Sequence, residues 1–172
     1  MKKLNPVQLL LILVIWSLVG VGIWQSVLPY LAERNYREGF NRNNLNYARN
    51  AIPYLRQAVK YAPYETQYMT ELAKAYENAS KKTQNIAEKK ALLLEAEALF
   101  ERIIPLDDQN PWYRNRYSNI TKGLSVAYPE KRDHYAKLTR DLYFQAAELD
   151  DQNPLFQLNL AYYLHQNGDA NA

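Results

Sequence analysis

Leu106-Asp107-Asp108-Gln109-Asn110-Pro111 recurs 43 positions later as Leu149-Asp150-Asp151-Gln152-Asn153-Pro154. Each copy closes an amphipathic stretch, and an aromatic-bearing one follows at once, Trp112-Tyr113 after the first and Leu155-Phe156 after the second. Asp-Asp-Gln-Asn disfavours helix continuation because these short polar side chains compete for backbone hydrogen bonds. Proline pre-sets the first turn of the next helix and lacks only an N–H that would have no intrahelical partner. The duplicated segment is therefore a turn between helices, and the chain is expected to be a repeat protein.

Outward from this mark, the pattern is helical throughout. Tyr47-Ala48, Ala51-Ile52, Leu55 and Ala58-Val59 follow the i, i+3, i+4, i+7 spacing of one apolar face. Pro53 falls in the early turns of that helix, and Pro63 ends it. A third helix is expected over 65–79, with Met69, Leu72, Ala73 and Tyr76 inward, and a polar loop or frayed end over 80–85. Further helices are expected over 86–104, 111–124, 130–149 and 154–165. Only 5 of the 172 residues are glycine, as a helical chain requires.

Before the repeats, no charged residue occurs between Leu4 and Ala32, and the run Leu9-Leu10-Leu11-Ile12-Leu13-Val14-Ile15-Trp16 continues through Val19, Val21, Ile23 and Val27. A bilayer core of roughly 30 Å needs about 20 such residues as a helix. Trp24 and Tyr30 suit the interfacial belt. A cleaved signal peptide is the rival reading. The apolar run is too long for one and has no clean small-x-small site at its end, so an uncleaved anchor is preferred. Residues 1–31 are thus read as a transmembrane anchor with its apolar span at 7–31, and 32–172 as the repeat domain, with almost no linker after Pro29. Lys2 and Lys3 favour an extracytoplasmic repeat domain, whereas Arg34, Arg37, Arg42 and Arg49 oppose it, and the balance leans only slightly outward.

Composition narrows the function. The net charge of +3 is scattered, which gives no footprint for nucleic acid, and no cysteine is present for thiol chemistry or a zinc ribbon. His134 and His165 are the only histidines and lack a ligand set at helical spacing. No phosphate loop, nucleophile elbow or dinucleotide fingerprint occurs. No catalytic, cofactor-binding or metal-binding residue is assigned, and the chain is read as a non-enzyme without cofactor. Lys81-Lys82 and Lys89-Lys90 form a basic concentration, read either as solvated helix ends or as a contact with anionic lipid if the second hairpin leans toward the bilayer.

The alternation resembles the tetratricopeptide repeat (TPR), a 34-residue helix–turn–helix unit with small residues where its helices cross. Residues 32–65 match one unit: Gly39 takes the small position of the first helix, Ala51, Leu55 and Ala58 the triplet of the second, and Pro63 the terminal proline. Leu72, Ala73, Tyr76, Ala96 and Phe100 match a second unit, and Tyr117, Ser118, Tyr143 and Ala146 a third. Leu160, Ala161 and Leu164 begin a fourth. Asp108 and Asp151 replace the terminal proline, and the second and third units carry insertions of about ten residues relative to the 34-residue unit. The resemblance implies an all-α fold, one transmembrane helix followed by a solenoid of three and a half hairpins.

A narrower similarity joins Ala51-Ile52-Pro53-Tyr54-Leu55 and Ala62-Pro63-Tyr64-Glu65-Thr66-Gln67-Tyr68 to the carboxy-terminal tails of bacterial O-antigen ligase and polymerase family proteins. It implies a bacterial inner-membrane, single-pass location and brings no catalytic residue with it. It leaves two alternatives to a plain adaptor: an accessory component of envelope-polysaccharide assembly, or a detached tail of a larger glycan enzyme.

In the TPR register the first helices line a concave wall that holds a protein or peptide partner. The positions are Tyr36, Arg37, Phe40 and Asn43, then Thr70, Lys74, Glu77 and Asn78. Asn115, Arg116, Asn119 and Lys122 follow, then Tyr162 and His165. Amide and guanidinium groups between aromatic walls suit an extended acidic or carboxy-terminal peptide. The last unit ends on an unpaired helix, and a partner or a second copy is expected to cap Tyr162, Tyr163 and Leu164.

Overall fold

A computed structural model of the chain describes residues 5–167. The described residues form seven α-helices: α1 (Pro6–Asn44), α2 (Ala48–Tyr61), α3 (Thr66–Lys82), α4 (Ile86–Ile103), α5 (Pro111–Ala127), α6 (Arg132–Leu149) and α7 (Pro154–Gln166). Single 3₁₀ turns at Ile104–Leu106 and Pro129–Lys131 join α4 to α5 and α5 to α6, and no strand occurs among the described residues. The fold is all-α: a long apolar N-terminal helix leads into stacked helix hairpins.

Both copies of the duplicated turn adopt the same geometry. Asn110 caps α5, its side chain accepting from the Trp112 N–H at 3.1 Å, and Asn153 caps α7 by accepting from the Leu155 N–H at 3.1 Å. Their backbone angles agree within a degree, φ −89°, ψ 106° against φ −90°, ψ 107°. Pro111 and Pro154 occupy the first helical turn. The asparagine is thus as important as the proline, since it satisfies an N–H that the helix start would leave bare.

α1 runs 39 residues without interruption, about 58 Å at the rise of an α-helix. Asn5 and Gln8 form a reciprocal capping box at its start, and Pro29 lies inside the helix rather than at a break. The N-terminal part of α1 is long and apolar enough to cross a membrane, and none of that span is buried against the rest of the chain. Burial in α1 begins at Ala32 and continues with Gly39 and Asn43. The apolar rod and the first wall of the repeat domain are therefore one continuous helix.

α1 packs on α2, α3 on α4 and α5 on α6, and each hairpin stacks on the next, with α7 lying on α6. Alanines at the crossings (Ala51, Ala58, Ala73, Ala96 and Ala146) are fully buried and let the backbones approach. Leu55, Met69, Leu93, Phe100, Ile103, Ile120, Leu124 and Phe156 fill the spaces between them. Tyrosines tie the layers, since a buried ring adds apolar area while its hydroxyl still needs a partner. Tyr113 donates to Thr66 Oγ1 at 3.1 Å, Tyr135 to Glu97 at 3.1 Å and Tyr163 to the Ala136 carbonyl at 2.8 Å. Among the described residues no buried side-chain nitrogen or oxygen lacks a hydrogen-bond partner.

Half of the polar stretch expected as a loop or frayed helix end at 80–85 is helical, because α3 continues to Lys82. Ser80 is 1% exposed and donates back to the Glu77 carbonyl at 2.7 Å, so its hydroxyl is satisfied inside the helix.

Candidate functional site

The odd-numbered helices run in the same sense and form one face. Trp112 packs on Phe156, Asn159 donates to Asn115 and Lys122 donates to Gln166, so α7 advances in step with α5 along its whole length. Between α1 and α3 the ties progress likewise, from Glu33–Tyr68 to Asn43–Asn78. This direction follows from the antiparallel hairpins: every second helix must point the same way.

The face opens on an aromatic cluster. Tyr36 stacks on Tyr68 at 4.7 Å and lies 5.7 Å from Phe40, and Lys74 Nζ stands 5.8 Å from the Phe40 ring centroid. Gln67 donates to the Tyr36 hydroxyl at 2.9 Å, and burial pushes the Tyr36 pKa up. Tyr68 donates to Glu33 at 2.8 Å, and burial together with that carboxylate raises it to about 12. Glu33 itself is held below the usual carboxylate range by its bond to Arg37, then by Tyr68. Both phenols are protonated at neutral pH, Tyr68 donating and Tyr36 accepting.

Two of the expected groove residues are inside the wall instead of on it. Asn43 is 3% exposed, donating to Glu71 at 2.8 Å and accepting from Asn78 at 3.0 Å. Asn115 is 7% exposed and accepts from Asn159 at 3.0 Å. The sequence placed these amides at open positions. The structure commits them to the neighbouring odd-numbered helix, since that helix stacks closely enough to cover this part of the face. Thr70 is half-buried, its hydroxyl donating to the Thr66 carbonyl of its own helix at 2.7 Å.

The remaining positions stay accessible. Arg37 is paired with Glu33 at 2.6 Å, Lys74 with the buried Glu71 at 3.4 Å and Glu77 with Lys81 at 2.5 Å. Glu77, Asn119 and Lys122 come together around an open cavity of about 330 Å³, with Lys81, Lys89, Leu93, Gly123 and Val126. Asn119 accepts from the Tyr143 hydroxyl at 3.1 Å, and Lys122 Nζ stands 5.8 Å from the Tyr162 ring. Arg116 is exposed on α5. Tyr162 and His165 are exposed on α7, the Tyr162 ring lying toward Lys122 of α5. The face is thus aromatic toward α1, and at α3 and α5 its cavity gathers three lysines against one glutamate.

Gln67, Tyr68, Glu71 and Asn159 belong to the face but were not anticipated. The Glu71–Lys74 spacing is legible in the sequence, whereas the burial of Glu71 depends on Asn43 arriving from α1. Lys81, Lys82, Lys89 and Lys90 gather at the end of the stack opposite the apolar part of α1. Lys82 donates to the Asn46 carbonyl just past the α1 C-terminus, and Arg49, at the start of α2, pairs with Glu88 at 2.7 Å. The second hairpin does not lean toward the apolar segment, because α3 runs parallel to α1. Among the described residues no group of three or more His, Asp and Glu side chains is placed to hold a metal ion. No family model matches this chain, and no curated protein matches it.

Proposed function

We propose that the chain is a non-catalytic, membrane-anchored scaffold of the TPR type. Residues 7–31 hold it in the bilayer, and an extended polypeptide partner lies along the face of α1, α3, α5 and α7. The observation that carries this reading is the continuity of α1: the helix bearing the apolar segment is also the first wall of the face, presenting Tyr36 and Phe40. A rigid connection sets a bound partner at a fixed height above the membrane, a use for which a flexible tether would serve poorly. Arg116 and the lysines about the α3–α5 cavity favour an acidic or carboxy-terminal segment, which a cationic face recognises through charge-assisted hydrogen bonds.

Photo-crosslinking residues placed in the full chain at Phe40, Arg116 and, as the control, the exposed Gln57 of α2 test this in intact cells. One discrete adduct from Phe40 and Arg116, absent from Gln57, is the expected result. Adducts of equal strength at all three positions, or at none, would sink the reading.

A further inference from the structure

We propose that the repeat domain rests on the lipid headgroups through the turns that precede α3 and α5, so that the chain meets the bilayer along an edge as well as through α1. This rests on the reading of residues 7–31 as a membrane span. The observation behind it is one of level. Tyr68 bonds Glu33 and Asn78 bonds Asn43, an offset of 35 residues each time, so α3 runs beside α1 in a fixed parallel register. Thr66, the first residue of α3, is therefore level with Leu31, where the span closes. The turn over 62–65 joins two helices that both end at this level, and it extends beyond them toward the span. The second hairpin thus stands upright, its lysine-bearing tip away from the span and its first turn beside it. The turn before α5 is pinned at the same level. Arg102 donates to the Pro63 carbonyl at 3.1 Å, and Tyr113 donates to Thr66 Oγ1 at 3.1 Å.

That level identifies the occupant. As a helix, residues 7–31 extend about 37 Å, whereas a hydrocarbon core is about 30 Å thick and a bilayer with its headgroups about 40–45 Å. An upright span therefore ends among headgroups, and whatever is level with Leu31 lies there too. The side chains on this edge suit that layer. Tyr64 is 81% exposed, Leu106 48% and Trp112 46%, with Tyr30 of α1 at 66%. Tyrosine and tryptophan favour the interface because each joins an apolar ring to a polar group that stays wet. The charges along the edge balance, Glu65, Asp107 and Asp108 against Lys60, Arg102 and Arg114, so the contact has no need of anionic lipid. Leu45, Tyr47 and Ile86 are exposed at the opposite end of the stack, but the length of α3, about 25 Å, separates them from the headgroups. An edge contact added to the span resists tilting and holds the face of α1, α3 and α5 steep to the membrane.

The absence of cysteine makes the test direct. Full-length Tyr64→Cys, Leu106→Cys, Ile86→Cys and Leu13→Cys are each labelled with a thiol-reactive fluorophore and reconstituted into phosphatidylcholine vesicles. Part of the lipid carries a nitroxide quencher, on the headgroup in one set of vesicles and deep on the acyl chain in the other. The headgroup quencher is expected to act at least about threefold more strongly on the labels at 64 and 106 than on the label at 86, which stands a helix length further out. Labels at 64 and 106 quenched no more than the label at 86 would overturn the proposal. The acyl-chain quencher scores the anchor separately through Leu13→Cys. A Leu13→Cys label that is quenched while 64 and 106 are not keeps the anchor and removes the edge. A Leu13→Cys label that escapes quenching removes the anchor, and the edge contact falls with it.

Discussion

A Cβ placed on Gly39 would stand 2.5 Å from Leu55 Cγ and 3.2 Å from the Leu55 backbone nitrogen. The first hairpin closes at this point, and only a residue without a side chain lets α1 and α2 approach so far. Gly39→Ala is expected to cost about 1–3 kcal/mol through overpacking against the α2 backbone. Gly123 is a useful contrast, because a Cβ there meets only the Leu93 side-chain end at 3.0 Å. Its gain in helix propensity, about 0.5–1 kcal/mol, offsets that contact, so Gly123→Ala is expected to stay within about 1 kcal/mol of wild type. Chemical denaturation of the two variants decides this, and equal midpoints would contradict it.

Asn43 joins α1 to α3 through Glu71 and Asn78. Asn43→Ala would leave the 7%-exposed Glu71 with Lys74 as its remaining partner. We expect a loss of about 1–3 kcal/mol, the cost of a buried polar group losing its bond. Asn43→Asp should lose more, because it sets a second carboxylate against Glu71. A thermal melt in which Asn43→Asp matches or exceeds Asn43→Ala would refute the assigned role.

Glu97 gives the fold a pH dependence. Burial raises its pKa above the usual carboxylate value, although the Tyr135 and Tyr117 hydroxyls donate to it at 3.1 Å and 3.5 Å. The folded chain therefore holds this proton more tightly than the unfolded chain, and stability falls as pH rises from the unfolded pKa through the folded one. Glu97→Gln keeps an acceptor for the tyrosines and removes the charge. It is expected to melt above wild type at pH 7, with the difference closing as the pH is lowered into the ordinary carboxylate range. A difference independent of pH would rule this account out.

The basic cluster is expected to play no part in membrane retention. From Leu31 to the C-terminal end of α1 at Asn44 is about 20 Å of helix, and Lys82 reaches Asn46 beyond that end. With a Debye length of about 8 Å at physiological salt, lysines at this height feel little of the lipid surface. Replacing Lys81, Lys82, Lys89 and Lys90 by Gln should leave membrane retention unchanged. Leu13→Asp with Val14→Asp should abolish it, each carboxylate costing about 2.5–3.5 kcal/mol at a helix centre. Release of the glutamine variant under conditions that retain wild type would show that the cluster touches lipid.

Helix positions were legible because apolar spacing and turn chemistry are local. The Asp-Asp-Gln-Asn-Pro turns stop and start helices through backbone bonds made within six residues, and both copies do so with the same angles. The face was legible only in part. Phe40, Lys74, Asn119 and Lys122 remain at least partly accessible, whereas Asn43 and Asn115 look equally polar in sequence and are buried. Whether a polar residue on a helix faces solvent or the next odd-numbered helix depends on packing between segments that are 28 and 44 positions apart at these two bonds. Ser80 misled in a related way, since its hydroxyl finds a partner inside its own helix.

The sequence alone determined that this chain is helical, that it carries one segment apolar enough for a bilayer, and that its turns repeat. These properties follow from composition and short-range spacing, which any stretch of chain carries with it. Only the tertiary structure decided that α1 passes through Pro29 as one helix, that the lysine cluster lies at its far end, and that one side of α7 is left uncovered. Those outcomes depend on which helices stack and in what direction, and burial between distant segments settles that where local preference does not.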